Sequence, residues 1–213
     1  FYWFPEHTDH DAEDLAFYMV PFVNSSQGSS GSEMDEVEKW LYTLAAFTPE
    51  TKTEMISSGT LMPTIQMIYR RTLVESDTEY LSDLAHANAY EDSSNTYEMV
   101  RVASNMAPDE IPPMAQLTVL EDTFDSLSGE AAFTTPVAIA RRWRTAPDTP
   151  RRIVLSAQDS YDPNGRPLTF HWRLIRGNPE HVRITPQGEN GETAEIEIDF
   201  HAPEILRIGG QDR

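Results

Sequence analysis

Apolar residues recur at three- and four-residue intervals through the first half of this chain and at every second residue in its last third. That change of period, from about 3.6 to 2, predicts helices followed by strands. Val37, Leu41, Leu44 and Ala45, extended by Trp40 and Phe47, form the stripe of a helix over 33–47, with Ser32 as cap and Asp35 and Glu36 in its first turn. Thr48-Pro49-Glu50 restarts a second helix to Ser57, and Gly59 suits the position beyond its end. Pro63 opens a third, carrying Ile65, Ile68, Tyr69 and Leu73, with Arg70 and Arg71 toward its C-terminus. Residues 78–87 and 94–106 give two more windows, the second with Tyr97, Val100 and Met106. Asp11 to Val20 gives a short one with Leu15, Tyr18 and Met19. Met55, Met62 and Met67 are expected in core packing. Pro108, Pro112 and Pro113 close the helical half.

Gln116 to Glu121 reads as a connecting strand and 122–135 as a polar linker. From Pro136 the period is two: Val137 and Ile139, then 152–157, 167–176, 181–185 and 192–200, with Ile205 to Ile208 as a sixth strand. Leu168, Phe170, Trp172 and Leu174 share one face, and Thr169, His171 and Arg173 the other. Ala194, Ile196, Ile198 and Phe200 alternate with Thr193, Glu195, Glu197 and Asp199 in the same way. Between two of these strands, Asp162-Pro163-Asn164-Gly165 supplies the fixed φ and the positive φ of a tight reversal. The expected architecture is α+β. A helical region spans 1–114 with a flexible loop at 24–32, a connector spans 115–135, and an immunoglobulin-like antiparallel β-sandwich spans 136–213. Such a sandwich needs about seven strands. The pattern yields five or six, so a closing strand is expected to be missing, unpaired or supplied by another segment or chain.

The run SAQDSYDPNGRPLTFHW resembles the opening of polycystic-kidney-disease and cadherin-like immunoglobulin-fold repeats. Ser160, Asp162, Pro163, Asn164, Gly165, Leu168, Thr169, Phe170 and Trp172 match the pattern of those repeats. Arg166 stands where they often carry aspartate. The resemblance covers about the last third of the chain. It implies a non-enzymatic extracellular module of the kind attached to secreted enzymes or surface proteins, with Trp172 as a core tryptophan. In some relatives the acidic turn holds calcium, which here points to Asp159, Asp162 and Asn164. An Asx turn, in which a side-chain oxygen accepts a backbone N–H, accounts for the same residues.

Composition narrows the partners. The 213 residues carry a formal net charge of −19, and only Lys39 and Lys52 are lysines. A field of that sign repels phosphate backbones and anionic headgroups, so neither nucleic acid nor membrane insertion is expected. No apolar run approaches the ~18 residues of a spanning helix. The absence of cysteine removes disulfides, zinc ribbons and thiol catalysis. The chain opens Phe-Tyr-Trp-Phe and is read as a fragment or processed product. One basic patch stands out, Arg141, Arg142, Arg144, Arg151 and Arg152 around Trp143. The chain's own carboxylates are its default partners, ahead of a polyanion.

A second candidate centre is His7-Thr8-Asp9-His10-Asp11, where imidazole and carboxylate together suit a divalent transition metal. The segment resembles the His-x-His-x-Asp-His motif of metallo-β-lactamase-like hydrolases, with His7, Asp9 and His10 aligned and Pro5 in place of the first histidine. A polar surface loop is the plainer alternative. The expected function is a non-catalytic structural, adhesive or binding segment of a larger secreted or bacterial cell-envelope protein. It would meet a protein or polysaccharide through loops or sheet edges, with calcium stiffening the turn. Part of a metal-dependent hydrolase or polysaccharide-processing enzyme using His7, Asp9 and His10 is the alternative.

Overall fold

A computed structural model describes residues 2–3, 25–26, 32–82, 85, 95–125, 130–143, 150–175, 177–200, 207–208 and 211–212. Helices occupy the N-terminal part and antiparallel sheet the C-terminal part, as α+β requires. The chain divides into two units. One comprises Phe1–Glu75 with Ala89–Pro112, the other Ser76–Asn88 with Pro113–Arg213.

The helices are α1 (Ser32–Ala46), α2 (Pro49–Ser57), α3 (Leu61–Arg71), α4 (Asp77–Tyr80) and α5 (Thr96–Asn105). All but α4 belong to the first unit. Local chemistry sets their ends. The Thr48 hydroxyl accepts the Thr51 N–H at 3.2 Å, and Pro49 takes the first helical position, where no donor is needed. Asn95 Oδ1 accepts the Glu98 N–H at 3.2 Å in the same way. The core gathers Trp40, Phe47, Met55, Ile65, Ile68, Tyr69, Met99, Ala103, Met106 and Ile111. Trp40 stacks on Tyr69 with ring centroids 6.1 Å apart.

Two stripes are rotated from those expected. On α1 the buried row is Trp40 and Thr43, continued by Phe47 just past its end, while Leu41 is 53% exposed. Thr43 fits that row because its hydroxyl donates to the Lys39 carbonyl at 2.7 Å, so no polar hydrogen is stranded. On α5 the row is Met99, Ala103 and Met106, and Tyr97 points outward. Of the three methionines expected in the core, Met55 is fully buried and Met67 packs partly against it, but Met62 is exposed. In the window at 78–87, Asp77–Tyr80 forms the short α4, capped by the Ser76 hydroxyl, and Ala85 is again helical; residues 83, 84, 86 and 87 lie outside the described residues.

The second unit holds β1 (Thr118–Asp122), β2 (Ala131–Thr135), β3 (Ala138–Arg142), β4 (Arg151–Ser156), β5 (Val182–Gln187) and β6 (Thr193–Ile198). Four of them form one antiparallel sheet in the order β1-β4-β6-β5, and β2 and β3 form a separate hairpin. The strand expected over Gln116 to Glu121 is present as β1, while the stretch at 122–135, read as a polar linker, supplies a further strand, β2. Two short ladders complete the list, Tyr2–Trp3 beside Ser25–Ser26 and Arg207–Ile208 beside Gln211–Asp212.

Register sorts the main sheet into unlike faces. Val119, Leu155 and Ala194 align across the strands, as do Ile153, Ile196 and Ile184, giving an apolar face. The other face carries Glu121, Arg152, Glu195, Glu197 and Arg183. Central β4 buries Ile153, Val154, Leu155 and Ser156 consecutively, which marks it as covered on both sides.

The segment 167–176 departs from expectation. Leu168, Phe170, Trp172 and Leu174 are half-buried and Thr169, His171 and Arg173 exposed, so the alternation is real. Yet residues 167–175 join no ladder. Period two reports an extended chain with one face covered, not the presence of a strand partner. Among the described residues, no helix is long and apolar enough to cross a membrane.

Candidate functional site

The sequence Asp162-Pro163-Asn164-Gly165 folds as its residue types dictate. The Gly165 N–H donates to the Asp162 carbonyl at 2.9 Å, closing a turn with proline in its second position and glycine at φ 69° in its fourth. The Asp162 carboxylate accepts the Asn164 N–H at 2.7 Å, which is the Asx turn anticipated above. Its second oxygen accepts from the Arg166 guanidinium at 2.8 Å. The Asp162 side chain is only 3% exposed, and the Arg166 interaction, with help from the turn's amides, lowers its pKa.

A second turn lies opposite. The loop from Gly188 to Glu192 connects β5 to β6, and its Glu192 carboxylate accepts the Asn190 N–H at 3.0 Å. Hydrogen bonds from the loop's amides lower the Glu192 pKa. Gly188 leaves room for that carboxylate: a Cβ there would collide with it. At Gly191, φ is 73° and an added Cβ would lie 2.9 Å from the Phe170 carbonyl oxygen, so bare backbone is required on both counts.

Three bonds pin the segments flanking the Asp162 turn to the 188–192 loop. The Phe170 N–H donates to the Asn190 carbonyl at 2.9 Å, the Trp172 indole N–H to the Gly191 carbonyl at 2.7 Å, and the Ala157 N–H to the Glu192 carbonyl at 2.7 Å. Here is the physical reason for the alternation at 168–174: the segment leans on the hairpin loop through isolated bonds instead of pairing along a strand. Trp172 is thus half-buried with its polar edge satisfied. A cleft of about 470 Å³ opens between the turns. Tyr161, Leu168 and Phe170 give it apolar wall, while Gln158, Arg166 and Asn190 bring polar groups to it.

The sequence-derived metal candidates fare unequally. Asp162 lines the cleft, but Asp159 and Asn164 are not part of its wall. Asp159 accepts a hydrogen bond from the Thr118 hydroxyl at 3.3 Å. The Arg166 guanidinium stands against the Asp162 carboxylate. His7, Asp9 and His10 lie outside the described residues. Among the described residues, no three histidine, aspartate or glutamate side chains gather as a metal site.

Three arginines of the basic patch pair with the chain's own carboxylates. Arg151 pairs with Glu130, whose side chain is fully buried, and Arg141 with Asp122. Arg152 forks between Glu121 and Glu195, and the Glu195 bond is 2.7 Å. The charged sheet face continues through Arg183, which meets Glu197 at 3.3 Å and Asp199 at 3.0 Å. These pairs raise the pKa of both Arg152 and Arg183, chiefly through the carboxylate hydrogen bonds. Sequence reading overlooked Asn190, Gly191 and Glu192. Gly-Glu-Asn-Gly between two alternating runs is a hairpin-loop signal that marks this wall of the cleft. No known protein family, curated protein or solved structure matches the chain.

Proposed function

We propose that the chain is a non-catalytic binding segment of a larger secreted or cell-envelope protein, with an immunoglobulin-like β unit that presents its loops to a partner. The carrying observation is the cleft, because the segments on either side of the Asp162 turn are held against the 188–192 loop there by two backbone bonds and the Trp172 indole bond. Loops fixed on a sheet are the usual place for recognition, since the scaffold bears the entropy cost of ordering them. The sheet edges are less inviting. A register shift between Val119 and Glu121 interrupts β1, and β5 carries Pro186, which has no N–H to offer. Bulges and edge prolines are devices that discourage strand addition. Recognition therefore falls to the loops, and Arg166 takes over at the turn the stiffening role that calcium has in some of the repeats this segment resembles.

The test is co-sedimentation of the purified chain with cell-envelope preparations and insoluble polysaccharides, alongside a panel of ester, phosphate and glycoside substrates with added zinc or manganese. Retention without turnover is expected. Metal-dependent hydrolysis that disappears in His7→Ala and His10→Ala variants would overturn the proposal in favour of the hydrolase alternative. Absence of retention by every material would also overturn it. A melting temperature that rises with calcium and falls back with chelator would return the Asp159–Asp162–Asn164 site to calcium.

A further inference from the structure

We infer that the cleft between the Asp162 turn and the 188–192 loop is a binding site for a neutral saccharide. This rests on the binding reading above and gives it a ligand class.

Charge excludes the alternatives. Asp162 and Glu192 contribute two negative charges to the wall and Arg166 one positive charge, in a chain of net −19. An anion is opposed both locally and by the field of the whole molecule. A cation finds each carboxylate already engaged, Asp162 by Arg166 and by the turn amides, Glu192 by the amides of its own loop. Detaching either one would leave donors without acceptors. A neutral molecule meets no such opposition.

The remaining wall fits a hydroxylated ring. Tyr161 and Phe170 are half-buried aromatics and Leu168 a half-buried aliphatic, giving an apolar surface for the C–H face of a sugar. Gln158 and Asn190 are exposed at the cleft, and each side-chain amide both donates and accepts, which is what a hydroxyl needs from a partner. The volume of about 470 Å³ falls in the range of small-molecule sites. Its two walls are already fixed by the Phe170, Trp172 and Ala157 bonds, so little ordering remains to be done on binding.

The experiment is affinity electrophoresis and isothermal titration of the full chain against soluble neutral polysaccharides (hydroxyethyl cellulose, galactomannan, xylan) and neutral hexasaccharides. Polygalacturonate serves as the anionic control. At least one neutral polymer should retard the chain and polygalacturonate should not. Asn190→Ala and Gln158→Ala should each weaken that binding about tenfold, the equivalent of one lost hydrogen bond of ~1.4 kcal/mol. Lys52→Ala, in α2 of the other unit, should leave it unchanged. Near-native circular dichroism of the variants separates lost binding from lost folding. Retention by envelope protein with no response to any saccharide would overturn the inference and leave the binding reading standing. Saccharide binding that survives both substitutions would place the ligand elsewhere and overturn the site.

Discussion

The helical unit and the β unit of this chain are held together by different physics. The helical core is a single apolar cluster in which Phe47, Met55, Ile68 and Met99 are at most 2% exposed. Its stability scales with apolar area removed from water, roughly 25 cal/mol per Å². The β unit buries less. On β5 and β6 only Ala194 is fully enclosed, and the largely buried pairs Arg151–Glu130 and Arg141–Asp122 tie strands to their flanking segments. Area burial is tolerant of detail, whereas a buried ion pair stabilises only while both partners are present. The two units should therefore fail in different ways.

Phe47→Ala should produce the largest loss. Deleting a buried phenyl ring removes its transfer free energy and leaves a cavity, about 3–5 kcal/mol in all. Urea denaturation followed by helical circular dichroism should show the midpoint fall accordingly. A loss under 1 kcal/mol would mean that the cluster does not carry the unit.

Glu130→Ala tests the other logic. Its carboxylate is fully buried, accepts from Arg151, and also accepts the Asp125 N–H at 2.9 Å. Removing it leaves the Arg151 charge, 11% exposed, without that partner, at a cost of roughly 3 kcal/mol. The sharper measurement is the double variant Glu130→Leu with Arg151→Met, which should recover most of the loss because no charge is then stranded. No second substitution of that kind should rescue Phe47→Ala. If the double variant is no better than the single, the pair is not what holds that corner.

How far each unit was legible follows from the same contrast. Helix positions were readable because propensity, caps and prolines are local: Thr48-Pro49 marks α2, while α4 and α5 were placed by pattern alone and their caps, Ser76 and Asn95, were not read. Which side of α1 faces inward was less so, since Leu41 sits beside the row of Trp40, Thr43 and Phe47 in the apolar pattern and only tertiary packing leaves it exposed. In the β unit the turn at Asp162 was legible to the level of its hydrogen bonds. The strand at Ala131–Thr135 was not, because short polar-edged strands lack an apolar period. The cleft depended on a meeting of residues 158–170 with 190–192 that no local signal encodes.

Gly191→Ala probes that meeting directly. The new Cβ would sit at positive φ, costing about 1–2 kcal/mol, and would press on the Phe170 carbonyl. The Trp172 indole N–H resonance should shift as its bond to the Gly191 carbonyl is disturbed, while helical circular dichroism stays constant. An unmoved indole signal would mean that the 168–174 segment does not rest on the loop.

The smallest effect expected is a pH dependence confined to the β unit. Arg152 lowers the Glu195 carboxyl below its ordinary 4.5, Arg166 lowers Asp162 below 3.8, and loop amides lower Glu192 below 4.5. A carboxyl with a depressed folded pKa adds stability that is complete above its unfolded value and is lost as pH falls through that value to the folded one. The β unit should thus keep a constant melting temperature above about pH 5 and lose stability on acidification below the ordinary 4.5. Net charge acts with the opposite sign, because protonating a −19 chain relieves self-repulsion. The two are separated by comparison with Glu195→Gln, which keeps the shape but removes one depressed carboxyl. That variant should be less stable than the parent at neutral pH, and the gap should close as pH falls below 4. A gap independent of pH would assign the loss to packing instead of to the Arg152–Glu195 charge pair.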